Sequence, residues 1–250
     1  MLHRQDFSRN YHTAHALVIV GAILMPAQVN AQLIKPADGQ ASGPAQFDNL
    51  TVELGLRTNS DFSGTSVRLT LPRLADAFVI YIDGSRFEGE LDDIAINGTV
   101  VNSGDGGGAG IFYTGLSDFN SLQPVLNFSL HSHASEVDNA LSVSGRQAIV
   151  EDEWQTAALS LILSPRQPWN NRGFNGFVSI GLAVQTHERS LSVDDVEQTE
   201  FSTDDTEVRA NLAAGLVYPI GRLRFHATLD FDDEVFANLG IRWHVSRKAR

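Results

Sequence analysis

From residue 47 onward the chain alternates apolar residues with polar or small ones at a period of two, and no stretch sustains a helical period. The pattern is cleanest near the C-terminus. Ala237, Leu239, Ile241, Trp243 and Val245 occupy one register there, and Asn238, Gly240, Arg242 and His244 occupy the other. Leu223 to Phe231 repeats the pattern, as do Val208 to Tyr218 and Phe174 to Gln185. Successive side chains of a strand point to opposite faces, so such a chain folds as sheet with one apolar face and one polar face.

The second face decides what lies on each side of the sheet. It is rich in Gly, Ala and Ser mixed with Arg, His, Asp and Asn, and the chain contains only two lysines, Lys35 and Lys248. Lysine commonly covers solvated strand faces and protects edges. Small residues and arginines suit a crowded interior whose charges pair, with the apolar face turned to lipid. The alternative is a soluble secreted β-protein, apolar inside and polar outside. The fold expected is all-β, a transmembrane antiparallel up-and-down β-barrel of about ten strands, each of about nine to eleven residues. Eight or twelve strands stay open, because Ala140–Leu163 is ambiguous. Short connections are expected at Pro72–Ala77, Ser117–Gln123, Ser164–Arg172 and Pro219–Arg222. Longer ones are expected at Phe87–Gly107, Ser135–Trp154 and His187–Thr206.

The N-terminus carries an expected export signal. Arg4 and Arg9 precede the apolar run Ala16–Met25, Pro26 ends it, and Val29 and Ala31 supply small residues for cleavage after Ala31. The run is too short for a spanning helix, which needs about 20 apolar residues. The division expected is a signal peptide over 1–31, a flexible lead-in over 32–46, a barrel over 47–245 and a basic tail over 246–250. Cysteine is absent, which excludes disulfides and thiolate metal sites, and the net charge of −12 argues against nucleic acid as a partner.

Acidic residues concentrate in the long connections, for example Glu151, Asp152 and Glu153, while Arg73, Arg166, Arg172 and Arg222 fall in short ones. Aromatic residues fall near strand ends as a girdle: Phe78, Trp169, Tyr218 and Trp243 toward the short turns, Phe231 and Phe236 toward the long ones.

The last strand, Asn238-Leu239-Gly240-Ile241-Arg242-Trp243-His244-Val245, resembles the C-terminal β-signal of bacterial outer-membrane β-barrel proteins: polar, any, Gly, any, any, aromatic, any, hydrophobic. A weaker echo runs from Ala213 to Ile220. The resemblance implies an outer-membrane location. It also implies that Asn238, Gly240, Trp243 and Val245 engage the assembly machinery of that membrane. Outer-membrane lipid and lipopolysaccharide follow as surroundings.

One common register places Glu53, Arg57, Arg68, Asn127, Ser129, His131, His133, Arg209, Arg224, His226, Asp230, Arg242 and His244 inward. An interior of about ten strands is filled by side chains, whereas open channels take about sixteen. Buried charges must then pair. The expected function is a structural or interaction role in the envelope, with a side-chain-filled polar lumen and acidic outer loops. A narrow arginine-lined channel for small anions is the first alternative. An outer-membrane hydrolase similar to lipid A deacylases or omptins is the second, suggested by Ser129, His131, His133, Ser135 and Glu136 on or near one strand. Residues at i and i+2 are about 6.5–7 Å apart, too far for a nucleophile and its base to touch. No catalytic residue, cofactor or dedicated metal site is assigned. Divalent cations could meet the Asp pairs at 92–93, 194–195, 204–205 and 232–233. Gly106-Gly107-Gly108-Ala109-Gly110 is expected to be a flexible loop end, because no helix follows it.

Overall fold

A computed structural model describes residues 49–245 apart from 61, 75–76, 94–97, 138–140, 144–145, 171, 194–195, 198–202 and 232–234. The expected signal peptide, the lead-in and the basic tail fall outside the described residues.

The described chain is all strand and turn. In order it forms β1 (Leu50–Thr58), β2 (Phe62–Thr70), β3 (Phe78–Asp93), β4 (Gly98–Tyr113), β5 (Leu122–Val137), β6 (Leu141–Val143), β7 (Arg146–Pro165), β8 (Asn175–Val193), β9 (Val196–Glu197), β10 (Thr203–Ile220), β11 (Leu223–Phe231) and β12 (Val235–Val245). Ten of these make a closed antiparallel barrel in up-and-down order, and β12 pairs back onto β1 along nine residue pairs, from Leu50–Val245 to Thr58–Ala237. Closure pairs every wall strand on both sides over the band that β1, β2, β11 and β12 span. The short strands β6 and β9 only prolong hairpins, pairing with β7 and β8.

Burial along β1 alternates strictly and is inverted relative to a soluble protein. Outward Leu54 and Leu56 are each 57% exposed, whereas inward Glu53 and Arg57 are 3% and 5% exposed. The same inversion holds on β12, where Leu239 and Trp243 face out and Asn238, Arg242 and His244 are buried. Only a hydrocarbon surrounding makes exposed leucines and internal charges favourable together.

Strand length departs from expectation. β1, β2, β11 and β12 have 9 to 11 residues, but the other six wall strands have 16 to 20. The segments expected to be long loops are largely strand: β3 and β4 stay paired from Phe78–Tyr113 to Asp93–Gly98. The physical reason is visible on β7. Its outward face is apolar from Leu163 through Leu161 and Leu159 to Ala157, then turns to Gln155, Glu153 and Glu151. Beyond the lipid both faces of a strand are polar, so the apolar–polar alternation ends while the backbone pairing continues.

The glycine run is likewise strand and not loop. Gly104, Gly106, Gly108 and Gly110 occupy successive inward positions of β4, where neighbouring side chains lean across the wall. A Cβ at Gly106 would lie 2.2 Å from His133 Cδ2, one at Gly108 2.2 Å from His131 Cδ2, and one at Gly110 2.3 Å from the Tyr81 ring. The glycines form a trough that admits two imidazoles and a phenol. Turn chemistry is conventional: Asn120 and Ser121, both at positive φ (45° and 69°), join the Phe119–Leu122 bridge below β4 and β5.

Candidate functional site

The barrel interior has three levels, and the lowest is apolar. At the short-turn end Val79 and Tyr81 of β3, Phe112 of β4, Val125 of β5, Ile162 of β7 and Phe177 of β8 form one buried cluster, with Val217 of β10 packed against it. The rings of Tyr81 and Phe112 lie 4.9 Å apart. These residues share the inward register with the polar lumen residues, so the lumen expected to be polar also holds an apolar cluster near the short turns, on strands that bury Asn127 and Ser164 as well.

Above and beside this cluster runs an oblique charged row. Cross-strand partners follow one another from Arg224 (β11) to Arg242 (β12), Glu53 (β1), Arg68 (β2) and Asp83 (β3). The row then crosses Gly108 to His131 (β5), Thr156 (β7), Gln185 (β8) and Glu207 (β10). The side chains along it are paired. Arg242 donates to Glu53 Oε2 from Nη2 at 2.6 Å and from Nε at 2.7 Å, while His226 Nε2 stands 3.2 Å from Glu53 Oε1. Arg68 donates to Asp83 Oδ2 at 2.9 Å, and His131 Nε2 lies 3.0 Å from Asp83 Oδ1. The Arg68 guanidinium also covers the Tyr81 ring at 4.4 Å, and Tyr81 donates to Asn127 Oδ1 at 3.1 Å. Gln185 donates to Thr156, and Arg209 to Glu207 at 2.6 Å.

The level toward the outer rim joins the remaining residues. Arg57 stacks over Phe236 at 4.1 Å and approaches Asp230 at 3.9 Å, while Asn238 donates to Asp230 at 2.7 Å. Phe236 was expected in the outer girdle. It faces inward and is buried, because it shares the alternation of Asn238, Arg242 and His244 on the last strand. Phe78, Trp169, Tyr218, Phe231 and Trp243 are exposed on the outside. His133 Nε2 meets Ser85 Oγ at 3.2 Å, and its ring lies 6.3 Å from that of Phe87. Higher still, Asp152 takes a 2.7 Å contact from His187 Nε2 and hydrogen bonds from Arg189 Nε and Nη2 at 2.7 and 3.2 Å. Trp154 lies flat on His187, 5.1 Å between centroids. This cluster sits above the apolar belt, beside outward Glu153 and Glu188. Burial pushes the Asp152 carboxyl up, but the hydrogen bonds from His187 and Arg189 outweigh it and hold the group below the usual carboxylate range.

Glu53, Arg57, Arg68, His131, His133, Arg209, His226, Arg242 and His244 are therefore buried in the interior, and Arg224 and Asp230 are part-buried on the same face. The residues suggestive of a hydrolase are not assembled. Ser129 and Ser135 have hydroxyls without a hydrogen-bond partner among the described residues, and Glu136 is exposed on the outer face. The histidines turn instead to Asp83 and Ser85 of β3. Sequence reasoning missed Asp83, Asp152, His187, Arg189 and Glu207. Asp83 continues the Val79-Tyr81 register, Asp152, His187 and Arg189 lie in segments expected to be loops, and Glu207 directly precedes the strand pattern read from Val208. Of the residues resembling an assembly signal, Asn238 and Gly240 face inward, Trp243 outward, and Val245 closes the ring against Leu50. The Asp pairs at 92–93, 194–195 and 232–233 fall outside the described side chains.

A closed antiparallel ring with an apolar outer belt and ion-paired interior defines a transmembrane β-barrel, and barrels of this type belong to the bacterial outer membrane. No family model matches the chain, and no curated protein matches it. Among solved structures it is similar to the translocator domain of autotransporter NalP from Neisseria meningitidis, with a TM-score of 0.45 and 11% identity over 93% of this chain and 95% of that one. It is also similar to the KdgM porin, with a TM-score of 0.33 and 8% identity over 78% and 99% of the two chains. An outer membrane channel from Pseudomonas putida F1 gives a TM-score of 0.37 and 13% identity over 85% and 100%.

Proposed function

We propose that this barrel is a packed, non-conducting component of the outer membrane, acting in envelope structure or interaction through the rim that stands above the lipid. The buried cluster of Val79, Tyr81, Phe112, Val125, Ile162 and Phe177 carries this reading, because apolar side chains from five strands occupy the short-turn end of the lumen. The paired charges above it support the same conclusion, since ions already held by partners 2.6–3.0 Å away have less to gain from a passing solute. Outward Glu136 faces Glu151, and Glu153 faces Glu188, at the height where lipopolysaccharide phosphates lie. Divalent cations shared with those phosphates fit this belt. Asn238, Gly240, Trp243 and Val245 are assigned to recognition by the assembly machinery.

The arginine content of the interior favours a second reading, a narrow conduit for small anions. Planar-bilayer recording of the purified barrel separates the two. Silence is the expected result, and reproducible anion-selective steps would refute the packed lumen.

A further inference from the structure

Cross-strand partners on the outer face form rows that climb around the wall, because the strands of a closed barrel tilt. One row leaves β10 at Ile220, passes Val52 on β1, Ile82 on β3 and Leu130 on β5, and returns to β10 at Val208, twelve residues nearer the rim. Every residue in it is apolar. The next row up is apolar from Tyr218 to Val67 on β2, and then reads Gly84, Gly107, Ser132, Gln155 and Thr186 from β3 to β8. The upper edge of the apolar belt therefore follows a row of the sheet and not a plane. It is lowest on β3. Ile82 lies five strands, half a circuit, along its row from Ile220, which sets it level with Ala214, six residues up β10. Phe78, four residues lower, is level with Tyr218, so both sides of the belt start together at the short-turn end. Above Ala214, β10 carries Leu212, Ala210 and Val208 outward, with Val208 71% exposed. At the same three levels β3 carries Gly84, Arg86 and Glu88. Six residues are about 15 Å of height on a strand rising about 3.3 Å per residue at a tilt of about 40°. Tilting the whole barrel cannot match both edges, because the lower edge is level on these two sides and the upper one is not.

We propose that the outer leaflet is thinned along β2–β4, and that its lipid headgroups descend there onto the patch of Thr65, Gly84, Arg86, Asp105 and Gly107. The patch is continuous, since Arg86 has Thr65 and Asp105 as its two cross-strand partners and Gly84 faces Gly107. Charges facing hydrocarbon are strongly unfavourable, whereas a bilayer thins locally at modest cost. The Arg86 guanidinium presents a fork to a lipid phosphate, and Asp105 and Glu88 face the cations that accompany such phosphates. Beside Arg86 a groove of about 480 Å³ is bounded by Thr65 and Glu88 and by Leu56 and Leu239, which gives the attached acyl chain an apolar path. The thinning follows from the outer face alone and does not depend on whether the lumen conducts.

The chain has no cysteine, so single cysteines can be placed on the outer wall and given a nitroxide label. Gly84→Cys and Leu212→Cys stand level on opposite sides of the barrel. A Cβ at Gly84 meets only the Gly106 carbonyl, at 3.6 Å, so the wall accepts it. The full barrel is reconstituted in vesicles of dioleoylphosphatidylcholine and dioleoylphosphatidylglycerol. Electron paramagnetic resonance reads collisions of each label with oxygen, which concentrates in hydrocarbon, and with a neutral nickel chelate, which stays in water. The expected result is an oxygen-to-nickel collision ratio several-fold lower at position 84 than at position 212. Adding Arg86→Leu and Asp105→Leu to Gly84→Cys is expected to raise the ratio toward that of position 212. Equal, hydrocarbon-like ratios at the two positions would overturn the proposal. A label at position 84 shielded from both reagents would overturn it too, because a second copy or another protein would then cover the patch. If Gly84→Cys does not fold, Thr65→Cys on the adjacent strand takes its place.

Discussion

A methyl group added at Gly240 would stand 2.2 Å from His226 Nε2 and 2.3 Å from its Cε1, with the Leu54 carbonyl 3.0 Å away. The nearest obstacles belong to one side chain, so the role of this glycine is separable from its place in a sorting motif. Gly240→Ala is expected to lower the stability of the detergent-folded barrel by about 1–3 kcal/mol through overpacking, measured by urea titration. His226→Ala in the same protein is expected to recover part of that loss, leaving the double variant more stable than the sum of the singles. Wild-type stability for Gly240→Ala would show that the glycine serves assembly alone. The inward trough of β4 follows the same logic. Glycine clusters are legible in a sequence as weak spots, but their use here depends on which side chain of the next strand leans over them. That is a property of register, and Gly106 and Gly108 reveal it only once His133 and His131 are paired opposite.

At the level of strands, β7 and β8 are clamped above the lipid by Asp152, with His187 and Arg189 on the facing strand. The Asp152 carboxyl is held below its ordinary range, so its contribution to stability is complete above the unfolded value of about 3.9 and is lost as pH falls through the folded value. Fluorescence of Trp154, which stacks on His187, is the natural reporter once the other two tryptophans are replaced by phenylalanine. The rim is expected to loosen in acid in that protein. Asp152→Asn is expected to show the loosened signal at neutral pH and to lose the acid transition; an unchanged transition would exclude the clamp. The lower halves of these strands could be read directly from alternation, because lipid on one side and polar lumen on the other enforce it. Their upper halves could not. Asp152, His187 and Arg189 sit where water bathes the outside, and nothing in the order of residues there distinguishes a paired strand from a polar loop.

The whole molecule depends on a single closing seam. Nine backbone pairs join β1 to β12, and the buried Glu53–Arg242 ion pair bridges residues 189 positions apart in sequence. Removing one member of a buried pair costs about 3–5 kcal/mol, because the other charge is left without compensation. Glu53→Ala is therefore expected to lower markedly the temperature of conversion on unboiled gels, and Glu53→Ala with Arg242→Ala to recover a measurable part of it. Failure of the second change to help would mean that Arg68 or His226, not Arg242, is the partner that matters. The barrel class was readable from inverted polarity, yet the seam chemistry was not, since Glu53 has three basic neighbours on three strands and only the register chooses among them. The elongated strands have one more consequence. A strand of 20 residues is about 66 Å long, against an apolar band of about 25 Å, so much of the rim is already hydrogen-bonded sheet. A molecule that docks there meets a surface whose conformational freedom was surrendered during folding, and its complex keeps binding energy that a floppy loop would forfeit to ordering.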